Sequence, residues 1–200
     1  MRTDRSRFPW APKKGVKSMW TIPGTVLRAS RQEAEHIPQQ LEALFFGGGI
    51  TLSQVTAITG LEAHTVQNWV KRGFLTSPVG KRYTLRQLCR ILNIHMLRGA
   101  MSIDKICQML AYVNGNLGDE SDDMIDDAQL YFLFVKLAAR LKELYEPAEA
   151  ERLLSEYLAD YQEPVPGARE RVRKVLRIML TAWLTSRMMQ ETEKMLSTLQ

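Results

Sequence analysis

Thr65, Gln67, Asn68, Lys71 and Arg72 lie within eight consecutive residues and carry a hydroxyl, two amides and two cations. Side-chain amides can bond base edges in pairs, while hydroxyls and cations bond phosphate oxygens, so this set suits contact with duplex DNA. Interleaved with them are Val66, Trp69 and Val70, three and four residues apart. That spacing predicts a helix over about Ala63 to Arg72 with one buried face and one polar face. A second cationic group, Lys81-Arg82-Tyr83, follows nine residues after Arg72.

Both groups need elements to hold them. Leu52, Val55 and Ile58 predict a short helix over Leu52 to Thr59, and Gly60 supplies the left-handed conformation of a tight turn into the next helix. Helix, glycine turn and helix together are the pattern of a helix-turn-helix. Thr51 and Gln54 form a T-x-x-Q capping box at its start. Gly73 ends the second helix, and Pro78 and Gly80 predict a hairpin-like turn with Lys81, Arg82 and Tyr83 at its tip or return side. Thr84 and Gln87 form a second capping box, opening a helix with Leu85, Leu88, Ile91, Leu92 and Leu97. Ser102 caps a further helix carrying Ile103, Ile106, Met109 and Leu110.

The net charge of +5 is unevenly spread. Residues 1–50 hold eight Lys/Arg and four Asp/Glu, a balance of +4; residues 51–112 hold eight and two, a balance of +6. Residues 113–200 hold eleven and sixteen, a balance of −5. A basic front containing the helix-turn-helix pattern is an electrostatic footprint of nucleic-acid binding.

From Ile50 to Leu110 the chain resembles the DNA-binding domain of MerR-type regulators. The pieces that carry the likeness are ITLSQVTAITGLEAHTVQNWVKRGFL, GKRYTLRQLCRI and MLRGAMSIDKICQML. Two more, HTVQNWVKRGFLTSPVGKRYT and QLYFLFVKLA, resemble an uncharacterised set of MerR-like proteins from Gram-positive bacteria, known as a domain of unknown function. The first likeness covers about a third of the chain and the second extends to roughly two thirds. The resemblance implies that Ala63 to Arg72 is the recognition helix, with Thr65, Gln67, Asn68, Lys71 and Arg72 near DNA. It also implies a wing contact through Lys81, Arg82 and Tyr83. Thr56 departs from the family, where a small Ala packs between the helices. Gln67 and Asn68 stand where an Arg and a Tyr are usual, which removes one charge-assisted contact and alters any sequence preference. Trp69 fits an aromatic core slot.

Outside this unit the expectations are coarser. Residues 1–36 read as a basic, partly flexible arm interrupted by Pro9, Pro12 and Pro23, carrying Arg2, Arg5, Arg7, Lys13, Lys14 and Lys17. Its Phe8, Trp10 and Trp20 either follow DNA, along the backbone or into the minor groove, or dock onto the protein itself. A short helix follows Pro38, and Gly47-Gly48-Gly49 reads as a flexible joint, since it lacks the GK[ST] ending of a phosphate loop. The acidic run DESDDMIDD lacks the ligand alternation of a calcium loop and suits a helix N-terminus instead. Beyond it, Leu130 to Val135 read as a buried helix continuing to Leu144. Leu153, Leu154, Tyr157 and Leu158 mark another after Pro147. A long final helix over about Ala168 to Leu199 carries Val172, Leu176, Met179 and Trp183 on one stripe, with Val175, Ala182 and Met189 beside it. Such a helix either packs in its own bundle or pairs with a second subunit. The MerR resemblance implies a homodimer. Met179, Trp183, Met188 and Met189 either line a pocket for an unidentified small-molecule effector or form core.

Cys89 and Cys107 show no CxxC spacing, and His36, His64 and His95 make no triad or ligand pattern. No catalytic, metal or cofactor constellation emerges, so the expectation is a non-enzyme without a cofactor. No apolar run reaches membrane-span length and no signal-type h-region follows the basic start, so a soluble, cytoplasmic protein is expected. The expected fold is mainly α: a winged helix-turn-helix (MerR-like) over 37–112 with a small β wing, after the arm over 1–36. An all-helical dimerisation or sensor domain fills 113–200. Two functions fit that fold. One is a dimeric, sequence-specific transcription regulator on double-stranded DNA, and the other is an architectural or protein-interaction module, of chromosome-anchoring or excision type.

Overall fold

The computed structural model describes residues 19–141 and 146–199. Among these, eight α-helices and two small antiparallel sheets enclose one continuous apolar core.

The chain enters through a hairpin. Met19–Thr21 (β1) pairs with Arg28–Ser30 (β2), with Trp20 opposite Ala29. Alternation puts Trp20, Ile22, Leu27 and Ala29 into the core. The Thr25 hydroxyl closes the turn, donating to the Ile22 carbonyl at 3.0 Å and accepting from the Leu27 amide at 3.0 Å. Gly24 sits at φ 74°, where an added Cβ would lie 2.7 Å from the Leu92 carbonyl oxygen. Trp20 thus docks onto the protein itself, one of the two readings of the arm. Residues 19–36 are a packed element, because four apolar side chains and a satisfied turn outweigh the interruption by Pro23. The basic residues Arg2 to Lys17, with Phe8 and Trp10, lie outside the described residues.

A 3-10 turn over Arg31–His36 leads into α1, Ile37–Glu42, with Pro38 in its first turn as its missing N–H allows. In the glycine triplet that follows, Gly47 and Gly48 have open space around them and Gly49 is held closely. Gly49 has φ 106° and lies so close to Tyr83 that a Cβ would come within 2.8 Å of the Tyr83 carbonyl oxygen. Ile50–Thr51 (β3) then opens α2, Leu52–Thr59, and Thr51 and Gln54 make the reciprocal capping bonds. Gly60 takes φ 74° and ψ 4°, and α3 follows over Ala63–Lys71. Arg82–Tyr83 (β4) pairs antiparallel with β3, and α4 runs over Leu85–Leu97 behind the Thr84–Gln87 capping box. Ile103–Asn114 forms α5, with Ser102 as its cap.

Gly60 carries the join between α2 and α3. An alanine Cβ there would stand 2.5 Å from Val26 Cγ1 of the β1–β2 turn, on backbone that L residues rarely adopt. Gly60→Ala is expected to lower the unfolding free energy by about 1–3 kcal/mol, read by urea denaturation. An unchanged midpoint would mean that the turn relaxes freely.

α4 is the central element. From Gln87 to Leu97 every residue except His95 is buried. It packs against α2, α5, α6 and α8, where α6 is Asp127–Arg140 and α8 is Ala168–Ser197. Between them α7, Pro147–Tyr157, lies across α6 and α8. The core extends from Trp20 to Trp183 and crosses the 112/113 boundary without a break. Val172, Val175, Leu176, Met179, Ala182 and Trp183 bury the first half of α8. From Arg187 to Leu199 every residue is exposed, including Met188 and Met189. The first half of the final helix therefore packs in its own bundle, and the second half stands clear of it. No helix among the described residues is long and apolar enough to cross a membrane.

The acidic run has a more specific role than a helix dipole. Asp126 caps α6, accepting from the Ala128 and Gln129 amides at 2.7 and 2.9 Å. Asp123 and Glu120 pair with Arg86 at 2.8 and 3.1 Å. Asp127 is fully buried and pairs with Arg90 at 3.2 Å, locking α6 to α4.

His95, mostly buried on α4, has its pKa lowered to about 4, by burial first and then by the Arg98 charge. A lowered folded pKa gives stability that is fully present above the unfolded value of 6.5 and is lost as pH falls from there toward about 4. Urea midpoints of the wild type should therefore fall relative to those of His95→Gln between neutral pH and about pH 4.5. Parallel pH profiles would contradict a buried neutral imidazole.

Candidate nucleic-acid interface

α3 is divided as its periodicity requires. Val66 and Trp69 are 0% and 3% exposed and hold the helix to the core. Gln67, Asn68, Lys71 and Arg72 are exposed, and Thr65 is half-buried. The Arg72 guanidinium lies 4.6 Å from the centre of the Phe74 ring, a cation–π contact that fixes the side chain as the helix ends. His64 is exposed near the start of α3. The free face thus presents two amides, two cations and an imidazole.

The second group comes from the tight hairpin turn between Val79 and Arg82 that leads into β4, itself paired with β3. Gly80 and Lys81 both have positive φ, 55° and 62°, between Val79 and Arg82, which bridge. Two successive left-handed residues make the type I′ geometry that suits the twist of paired strands. Lys81 and Arg82 are exposed on this tip, and Arg82 donates to the Gly49 carbonyl at 2.9 Å. Tyr83 is a correction. It is 3% exposed, since its pairing with Ile50 turns it to the core side of the short sheet. Burial also raises its hydroxyl pKa. Its ring supports the hairpin from below and is not available as a surface contact.

The charge count of the sequence overstates the usable cations. Of eight Lys/Arg between residues 51 and 112, Arg86 and Arg90 are spent on the acidic run. Lys71, Arg72, Lys81 and Arg82 form no ion pair among the described residues. Two exposed apolar groups escaped sequence reasoning: Val79 at the hairpin tip, 84% exposed, and Phe46 ahead of the glycine turn, 89% exposed. An apolar residue next to a turn glycine was the available signal for both. Thr56 is half-buried with its hydroxyl bonded to the Ser53 carbonyl at 2.9 Å, so the larger residue fits between the helices without an orphaned polar group.

Cys89 is buried and Cys107 half-buried, both as free thiols. Burial pushes both thiol pKa values up, opposite to the shift a reactive thiolate needs. Met179 is core, Met188 and Met189 are exposed, and Trp183 edges a cleft between the hairpin and α8.

The stretch holding α2, α3 and the hairpin tip has known relatives. Residues 49–134 match the model of a domain of unknown function, DUF1836. The DUF1836 span begins at Gly49 and ends within α6, so it takes in the polar face of α3, the hairpin tip and the Arg90–Asp127 pair. The chain is also similar to the uncharacterised protein YkrK of Bacillus subtilis (strain 168), 28% identical over 86 residues. That match covers 41% of this chain and 37% of the relative, so the chain spans little over a third of that protein's length. Both matches support an uncharacterised family of Gram-positive type. No solved structure matches the chain.

Proposed function

We propose that α2, the Gly60 turn, α3 and the Val79–Arg82 hairpin turn with the β3–β4 pair form a MerR-like winged helix-turn-helix, and that the protein is a dimeric, sequence-specific DNA-binding transcription regulator. The observation that carries this reading is the two-faced α3. Val66 and Trp69 anchor it, while Gln67, Asn68, Lys71 and Arg72 are exposed and the two cations have no acidic partner among the described residues. In the major groove the amides would bond base edges and the cations phosphates. Lys81 and Arg82 on the hairpin tip would add backbone contacts. The unit carries 37–112, and the remaining helices 113–200 would serve assembly and sensing.

Assembly draws support from an exposed stripe along α8. Ile178, Thr181, Thr185, Met188, Thr192 and Met195 repeat at alternating steps of three and four, and all six are exposed. The three threonine hydroxyls bond carbonyls one turn back, at 3.0, 2.9 and 2.9 Å, which leaves their methyl groups for packing. Such a 3–4 repeat is the seam of a two-helix coiled coil. A second copy would cover it, and dimer symmetry would set the spacing of two DNA half-sites.

Sedimentation of the full chain tests the seam. A dimer is expected at micromolar concentration, with Met188→Asp/Met195→Asp sedimenting as a folded monomer. A monomeric wild type would remove this mode of assembly. Genome-wide mapping of bound DNA tests the function: a few sharp promoter sites are expected, and broad or absent occupancy would favour an architectural or protein-interaction module.

A further inference from the structure

A cleft of about 1200 Å³ opens between the β1–β2 hairpin, the end of α4, the end of α6 and the middle of α8. Five arginines line it, Arg28, Arg31, Arg98, Arg140 and Arg187, and none of its described lining residues is a carboxylate. Arg140 is offset by Glu156 at 3.4 Å, and Arg187 stacks 4.9 Å from the Trp183 ring centre. Arg31 is fixed by the last carbonyls of α6, at 2.9 Å to Leu141, and stacks 5.3 Å from Trp20. Arg28 and Arg98 are exposed and have no acidic partner among the described residues.

Two residues of the lining also carry deeply buried polar atoms. Trp20 is 7% and Ser186 5% exposed, yet neither the Trp20 Nε1–H nor the Ser186 hydroxyl has a hydrogen-bond partner among the described residues. Both atoms are sealed from the open space of the cleft, behind its surface rather than on it. Residues 1–18 are a poor occupant by charge, with six Lys/Arg and one Asp.

We propose that this cleft binds a small anionic molecule: a phosphate- or carboxylate-bearing compound with an apolar body. The arginines would hold the anion through charge-assisted bonds, and its body would lie at the cleft wall to which Trp20 and Trp183 belong. The inference deepens the regulator reading by naming the chemistry of its effector. Its link to DNA rests on that reading. One wall of the cleft reaches the α2–α3 turn: the Val26 amide donates to the Ile58 carbonyl at 3.0 Å, and Val26 packs beside Gly60.

The test is a calorimetric titration of the full chain with phenyl phosphate, with tryptophan fluorescence followed in parallel and phenol as the uncharged control. One molecule per chain is expected to bind, with quenching, and phenol should bind at least about tenfold more weakly. Arg28→Gln and Arg98→Gln, both at exposed positions, should each weaken phenyl phosphate while leaving circular dichroism unchanged. Together they should cost at least about tenfold. No saturation by about 10 mM, equal binding of phenol, or binding unaffected by the double substitution would overturn the proposal, as would displacement of phenyl phosphate by duplex DNA. The wild-type comparison decides the matter even if a variant fails to fold. The titration with phenyl phosphate alone contains no DNA, so that result is independent of whether α3 binds DNA.

Discussion

Replacing Arg90 with Ala should lower the unfolding free energy by about 3–5 kcal/mol, the cost of leaving one member of a buried ion pair alone. Asp127 is 0% exposed and Arg90 6%, so the remaining carboxylate could not reach water without opening the α4–α6 contact. Arg90 also donates to the Phe74 carbonyl at 2.8 Å, and Asn93 donates to the Asp127 carbonyl at 3.2 Å. A single truncation would therefore release the segment after α3 as well as α6. Burial raises the Asp127 pKa and the Arg90 charge pulls it back down. Without Arg90, the carboxyl would be driven further toward its protonated form. Arg90→Met/Asp127→Leu, which removes both charges, should recover most of the loss. Chemical denaturation of the three proteins checks this. A loss under about 1 kcal/mol for Arg90→Ala would place the pair in a far wetter setting than its burial indicates.

The second large effect concerns DNA. Lys71→Ala/Arg72→Ala is expected to weaken duplex binding by about a hundredfold, on the order of 1.4 kcal/mol for each lost charge-assisted phosphate contact. Both side chains are exposed, so neither substitution removes a packed group, although Arg72 gives up its stacking on Phe74. Gln67→Ala or Asn68→Ala should act differently. Amides that read bases change which sequences are preferred, whereas the cations change affinity for all of them.

What could be read from the sequence was local. Both capping boxes, the Gly60 turn and the apolar face of α3 follow from residues within one or two turns of one another, and all are formed as expected. What could not be read depended on distant partners. Tyr83 looked like a surface residue because it adjoins Lys81 and Arg82; only its register with Ile50 turns it inward. Arg90 counted as a cation for DNA until Asp127, 37 residues later, was placed against it. The hairpin over 19–30 was hidden by its proline, although the alternation of Trp20 with Ile22 and of Leu27 with Ala29 was there to be seen. α8 carries two apolar stripes. Periodicity identifies stripes but does not say where along them the core ends: Val172, Val175, Leu176, Met179 and Ala182 are buried, while Met189 beyond them is exposed. The five arginines of the cleft come from β2, the 3-10 turn, the end of α4, α6 and α8, so no window of sequence contains them.

The central claim is that the free face of α3 contacts DNA. Salt dependence of duplex affinity tests it most directly, measured by fluorescence anisotropy for the wild type and for Lys71→Ala/Arg72→Ala. The wild-type log–log plot should fall steeply with salt, and the double variant should bind more weakly with a slope shallower by about two, one for each phosphate contact removed. Identical slopes and affinities for the two proteins, or no duplex binding by the wild type at low salt, would contradict it.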